Sequence, residues 1–136
     1  MMASVDIVSA LALNQFELYF QSIVPLNREE TGLHLEILLR MVQTNGTIVS
    51  PAIFLPAAER YNLASKVDLW VIDNLLKWGG SHLDIWQQLD LVSVNLSATS
   101  LGDHEFMNWL EMRLMAEPEL VDKLCMFANN KRAAIK

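Results

Sequence analysis

The alternation of apolar and polar positions divides the first third of the chain into three elements. Val5, Val8, Leu11 and Ala12 recur at intervals of three and four, which predicts a helix over 5–13. Phe16 to Val24 (FELYFQSIV) alternates loosely and is rich in aromatic and branched residues, so a strand is expected there. Pro25 and the polar run Asn27 to Thr31 read as a turn. Leu33 to Val42 (LHLEILLRMV) is an almost continuous apolar run broken by Glu36 and Arg40. As a helix it would pair those two charges on one face at a spacing of four. As a strand it would put 36, 38 and 40 together on one side. A strand before it and the turn signal Asn45-Gly46 after it favour the strand.

The rest of the chain is mainly helical, with strands between the helices. Ser50 is a candidate N-cap for a helix over Pro51 to Tyr61, with proline in the first turn. Val67, Trp70, Val71, Leu75 and Trp78 mark a helix over Ser65 to Trp78, and Gly79-Gly80 is read as its stop. Leu91 to Leu96 has the look of a short buried strand, and Ser97 to Ser100 of a turn. Phe106, Leu110 and Leu114 form the apolar stripe of a helix over Asp103 to Met115, and Leu120 to Phe127 leads into another strand. Strands alternating with helices imply parallel pairing in an α/β architecture. The elements number about half of an eight-stranded barrel, which takes about 250 residues.

Composition narrows the classes of function. Apolar residues make up 52% of the 136 residues, enough for a core and too many for a disordered chain. The net charge of −6 opposes binding to a nucleic-acid polymer, although a few arginines or a metal can still neutralise a small anionic ligand. Cys125 is the single cysteine, so no intramolecular disulfide forms, and a reducing, cytoplasmic setting is expected. No basic, apolar leader opens the chain, and no window reaches the roughly 18 apolar residues of a membrane span.

Few residues announce a reaction by themselves. Glu36, inside an apolar run, is a metal ligand, a general acid or base, or simply a paired edge carboxylate. Arg40 is a phosphate clamp or a counter-charge to Glu36. Asn95 lies in a buried-type strand, where its amide must be hydrogen-bonded, either as structural glue or as a ligand at a strand end. His34, His82 and His104 have no partner at metal-ligand spacing and read as surface or packing residues. Trp70, Trp78, Trp86 and Trp109 read as core, as do Met107, Met112 and Met115. Cys125 lacks a nucleophile's setting.

Four stretches, in order, resemble the N-terminal half of an EAL domain, of the cyanobacterial GGDEF–EAL kind. They are ALALNQFELYFQSIV, HLEILLRM, a glycine followed by IVSPAIFLPAAERYNLASKVDLWVI, and VSVNLSATSLGDHEF; with the strand after them the match runs over 10–127. Any one of these pieces alone would be weak, but their order and spacing are specific. The resemblance implies a truncated modified TIM barrel, about the first half of the barrel. It also implies an activity, hydrolysis of cyclic di-GMP to the linear dinucleotide with Mg²⁺ or Mn²⁺. It places Glu36 at the glutamate of the E-A-L motif, a metal ligand, with Ile37 in place of alanine. Asn95 falls at the metal-binding asparagine, Arg40 at the phosphate-contacting arginine and Gln21 at the glutamine lining the nucleotide pocket. Hard divalent ions favour such oxygen donors.

The resemblance fails at the end of the chain. The family continues aromatic-Glu-Ile-Thr-Glu, with a metal ligand at its first glutamate, whereas here Phe127 is followed by Ala128-Asn129-Asn130-Lys131. Codons for Phe127 to Arg132 can be chosen so that loss of one nucleotide restores Phe-Glu-Ile-Thr-Lys-Glu, so a frameshift near Ala128 is expected, with 128–136 out of frame. The remaining carboxylates of the family are missing, so the expectation is an inactive phosphodiesterase remnant that holds metal poorly. The alternative is a degenerate EAL module that binds nucleotide or protein. Exposed barrel edges make a homodimer the expected assembly.

Overall fold

The opening apolar runs form the sheet edge in the computed structural model, which describes residues 4–23, 33–128 and 134–135. Helix α1 (Ser4–Ala12) precedes strand β1 (Phe16–Ile23), which pairs antiparallel with β2 (Leu33–Val42), Phe16 opposite Met41 and Gln21 opposite Glu36. That pairing settles the ambiguous run as a strand. The first pair is antiparallel where parallel pairing was expected, because the 24–32 link is shorter than the dozen or so residues of a parallel crossover. The turn expected at Pro25 and Asn27 to Thr31 lies outside the described residues.

Past Gly46, whose φ of +88° suits glycine, the short β3 (Ile48–Val49) folds back onto β2. Helices α2 (Pro51–Arg60), α3 (Ala64–Ser81) and α4 (Leu83–Trp86) then cross to β4 (Leu89–Leu96), parallel to β2. Helices α5 (Ala98–Leu101), α6 (His104–Met115) and α7 (Pro118–Val121) cross to β5 (Leu124–Ala128), parallel to β4. The short β6 (Ala134–Ile135) lies antiparallel on β5, and the sheet order is β1-β2-β4-β5-β6 with β3 on β2.

Alternation along the strands sends one face of the sheet to the helices. Ile37 of β2 and Val92, Val94 and Leu96 of β4 share a core with Val71, Ile72, Leu75 and Leu76 of α3, Phe106 and Leu110 of α6, and Trp86 and Leu120. A second core joins Ile7 and Ala10 of α1 to Phe16, Met41, Phe54, Ala58 and Val67. Each large side chain withdrawn from water here is worth about 1.5–3 kcal/mol.

Three sequence readings change. Helix α3 does not stop at Gly79-Gly80 but runs to Ser81, and Gly79 is a packing glycine. A Cβ there would lie 2.8 Å from Cε3 of Trp86. Ser50 precedes α2 without a side-chain cap; the turn is held instead by its carbonyl, which accepts from Ile53 N–H at 3.0 Å. Met107, Met112 and Met115 lie exposed on α6, because Phe106 and Leu110 already supply its core face. Of the tryptophans, Trp86 is fully buried, while Trp70, Trp78 and Trp109 pack half-buried around the main core. His82 stacks on Trp78 with ring centres 4.9 Å apart.

Candidate functional site

Residues that alternate with the core positions carry the polar groups. With Ile37, Leu39 and Met41 turned to the cores, Glu36, Leu38 and Arg40 share the opposite face of β2. The same rule puts Gln21 on that face of β1, directly across from Glu36, and Asn95 on that face of β4. Pairing between β2 and β4 ends at Glu36 opposite Ser93, so Asn95 stands just beyond it, at the carboxyl end of its strand. Its Nδ2 donates to Glu36 Oε1 at 3.3 Å. The structure therefore brings Gln21, Glu36 and Asn95 together where open α/β sheets form their sites.

Arg40 is set apart from this group, roughly 13 Å further along β2 at about 3.3 Å per residue. Its Nη1 donates to the carbonyl of Leu39 at 2.9 Å, and the guanidinium sits 5.5 Å over the Tyr19 ring. The reading of Arg40 as a counter-charge for Glu36 is not met. Ion pairs lie elsewhere, joining Asp73 to Lys77 and Arg113, and Arg113 to Glu117.

A second polar cluster adjoins the first and was missed in the sequence. A cavity of about 150 Å³ has Asn95, Ser97, Leu38, Glu59 and Asp68 in its wall. Asp68 of α3 is only 6% exposed. Its Oδ2 accepts from Ser97 N–H at 2.8 Å and from the Ser100 hydroxyl at 2.5 Å. Ser97 Oγ donates to Glu59 Oε1 at 3.2 Å and accepts from Thr99 N–H at 3.1 Å, capping α5. Burial pushes the Asp68 carboxyl up to about 6; the Ser100 and Ser97 hydrogen bonds pull it back, and the charge of Glu59 adds to the rise. The available signal was an acid between Val67 and Leu69 in an apolar helical stripe.

The donors suit a hard cation in kind but not in number. Mg²⁺ takes about six oxygen ligands in near-octahedral geometry. Glu36 and Asn95 offer a carboxylate and an amide, Gln21 faces them, and among the described residues no group of three or more His, Cys, Asp or Glu stands ready for a metal. Strand β5 alongside adds none: Phe127 is opposite Asn95 and Ala128 opposite Leu96, and Cys125 and Met126 complete that stretch. The described residues alone do not make a divalent-ion site.

The EAL domain pattern matches residues 4–127. The chain belongs to the EAL domain family. EAL relatives include the cyclic di-GMP phosphodiesterase PdeB of Shewanella oneidensis, 36% identical over 99 residues, which are 73% of this chain and 11% of that protein. PdeF of Escherichia coli, also a cyclic di-GMP phosphodiesterase, is 34% identical over 97 residues, 71% of this chain and 12% of that protein. Among solved structures, the FimX EAL domain of Pseudomonas aeruginosa bound to c-di-GMP superposes with a TM-score of 0.78 at 33% identity. That match covers 91% of this chain and 48% of the FimX chain. The EAL architecture is thus shared, and the chain spans about half of that EAL chain and a small part of the curated relatives' length. EAL phosphodiesterases are divalent-metal dependent as a family.

Proposed function

We propose that this chain is a portion of a cyclic di-GMP phosphodiesterase domain which keeps nucleotide-facing side chains but does not hydrolyse the nucleotide by itself. One observation carries the reading: β5, beside the Glu36–Asn95 pair, contributes no oxygen donor. In this reading Glu36 and Asn95 are the metal-facing donors, Arg40 meets a phosphate and Gln21 lines the nucleotide pocket. Mg²⁺ or Mn²⁺, where held by a complete donor set, would polarise the phosphodiester and activate water. The side chains here supply a carboxylate, an amide and a guanidinium on one sheet face, too few to hold the dinucleotide without metal and too few to shield the charge that develops in the reaction.

A second reading, a degenerate module that binds cyclic di-GMP without cleaving it, is favoured by the similarity to FimX, whose EAL domain is described as bound to that nucleotide. Titration calorimetry with cyclic di-GMP separates the two. A remnant gives no heat of binding. A receptor gives a saturable isotherm that Arg40→Ala weakens by about tenfold or more, the worth of a charge-assisted phosphate contact. The setting proposed is cytoplasmic, and no described helix is long and apolar enough to cross a membrane.

A further inference from the structure

Pairing with β2 ends two residues before Asn95, so something other than that ladder must fix where β4 presents its amide. The β5 ladder pairs Asn95 with Phe127 on the other edge, and just beyond it the N-terminus of α5, from Ser97 to Ser100, is tied to the helical layer. There a single buried carboxylate oxygen of α3 takes both the Ser97 N–H and the Ser100 hydroxyl, and Ser97 Oγ is in turn held by Glu59 of α2. Helix α3 is among the least mobile candidates for an anchor, since Val71, Ile72, Leu75 and Leu76 of the same helix are locked in the main core. A carboxylate accepting two hydrogen bonds out of contact with water is a directional tether, because each bond is strengthened by charge and by the low local dielectric.

We propose that Asp68 is a positioning residue for Asn95, fixing through Ser97 and Ser100 the place at which β4 offers its amide to Glu36. Its interest as a functional device rests on the reading of Asn95 as a ligand, but the positioning itself is measurable in the unliganded chain. The experiment follows the Asn95 side-chain and backbone amide signals by ¹⁵N NMR in the full chain. Asp68→Ala is expected to displace the Asn95 side-chain signal together with the backbone amides of 95–100. Asp68→Asn, which keeps an acceptor for Ser97 N–H, is expected to restore the wild-type position. Leu110→Ala, a core truncation on α6, controls for loss of stability and is expected to leave Asn95 in place. If Asp68→Ala does not fold, Ser100→Ala serves, with a smaller displacement in the same direction. An Asn95 signal unmoved by loss of the Asp68 carboxyl or the Ser100 hydroxyl, or moved equally by Leu110→Ala, overturns the proposal. Calorimetry with cyclic di-GMP is independent of this outcome, so a failed tether and a failed nucleotide reading are told apart.

Discussion

Asp68 is the charged side chain most fully withdrawn from solvent among the described residues. Its carboxyl sits at about 6 against an ordinary 3.8, burial being the main cause. Well below pH 3.8 it is protonated whether the chain is folded or not. As the pH rises from 4 to 6 the unfolded chain releases its proton first, so the folded state loses stability, by on the order of 3 kcal/mol once both forms are ionised. Asp68→Asn cannot ionise and lacks that loss. Urea unfolding at pH 4 to 7 should therefore show the stability of Asp68→Asn rising relative to wild type across this range. Asp73 and Asp103, whose pKa values are lowered, act in the opposite direction but equally in both proteins. Parallel pH profiles would contradict the placement of this carboxyl. At this scale the sequence was partly legible. Glu36 and Asn95 stood out as polar groups in apolar runs, whereas Gln21 was visible only through the family resemblance. Asp68 was hidden, because its partners Ser97 and Ser100 lie about 30 residues away and nothing local marks the contact.

Glycines test the helices. Gly79 and Gly80 are neighbours in α3 with opposite surroundings. A Cβ on Gly79 meets the Trp86 ring at 2.8 Å, while one on Gly80 meets nothing within 4 Å. Gly79→Ala is expected to lower stability by about 1–3 kcal/mol through overpacking, and Gly80→Ala to raise it by about 0.5–1 kcal/mol through helix propensity. Urea midpoints of the two variants check this; equal effects would mean that the indole is not against Gly79. Lys123 is a comparable case at the entry to β5. Its ammonium donates to the carbonyls of Trp86, Gln87 and Leu89 at 3.1, 2.8 and 2.6 Å, and so fastens the end of α4 to the start of β4. Lys123→Met should cost about 1–3 kcal/mol by leaving carbonyls short of a donor. Elements were the most legible level: apolar period located α3 and α6, aromatic and branched residues located β1, and a short apolar run located β4. Two readings failed for tertiary reasons: a glycine pair signals a stop unless a tryptophan needs the space, and methionines at helical spacing do not reveal which side faces the core.

Among the described residues the fold is an EAL-type sheet with α3 and α6 packed on one face and Gln21, Glu36 and Asn95 on the other. The α/β class and the parallel β2-β4-β5 order follow from alternating strands and helices, while the antiparallel start is set by the length of the link between β1 and β2. Among the described residues β1 forms one edge of the sheet, and Tyr19, Phe20 and Ile23 on it are exposed. A row of strand hydrogen-bonding groups flanked by apolar side chains invites pairing with another chain. We accordingly propose a homodimer or larger assembly, and light scattering at increasing concentration should show the mass rising above that of one chain. A concentration-independent monomer would contradict it.

The count of oxygen donors beside Glu36 and Asn95 is tested most directly by incubating the purified chain with cyclic di-GMP and either Mg²⁺ or Mn²⁺ and measuring the linear dinucleotide formed. The expected result is no product above the protein-free control with either metal. Turnover at an ordinary enzymatic rate, about 1 s⁻¹ or faster, would contradict the account.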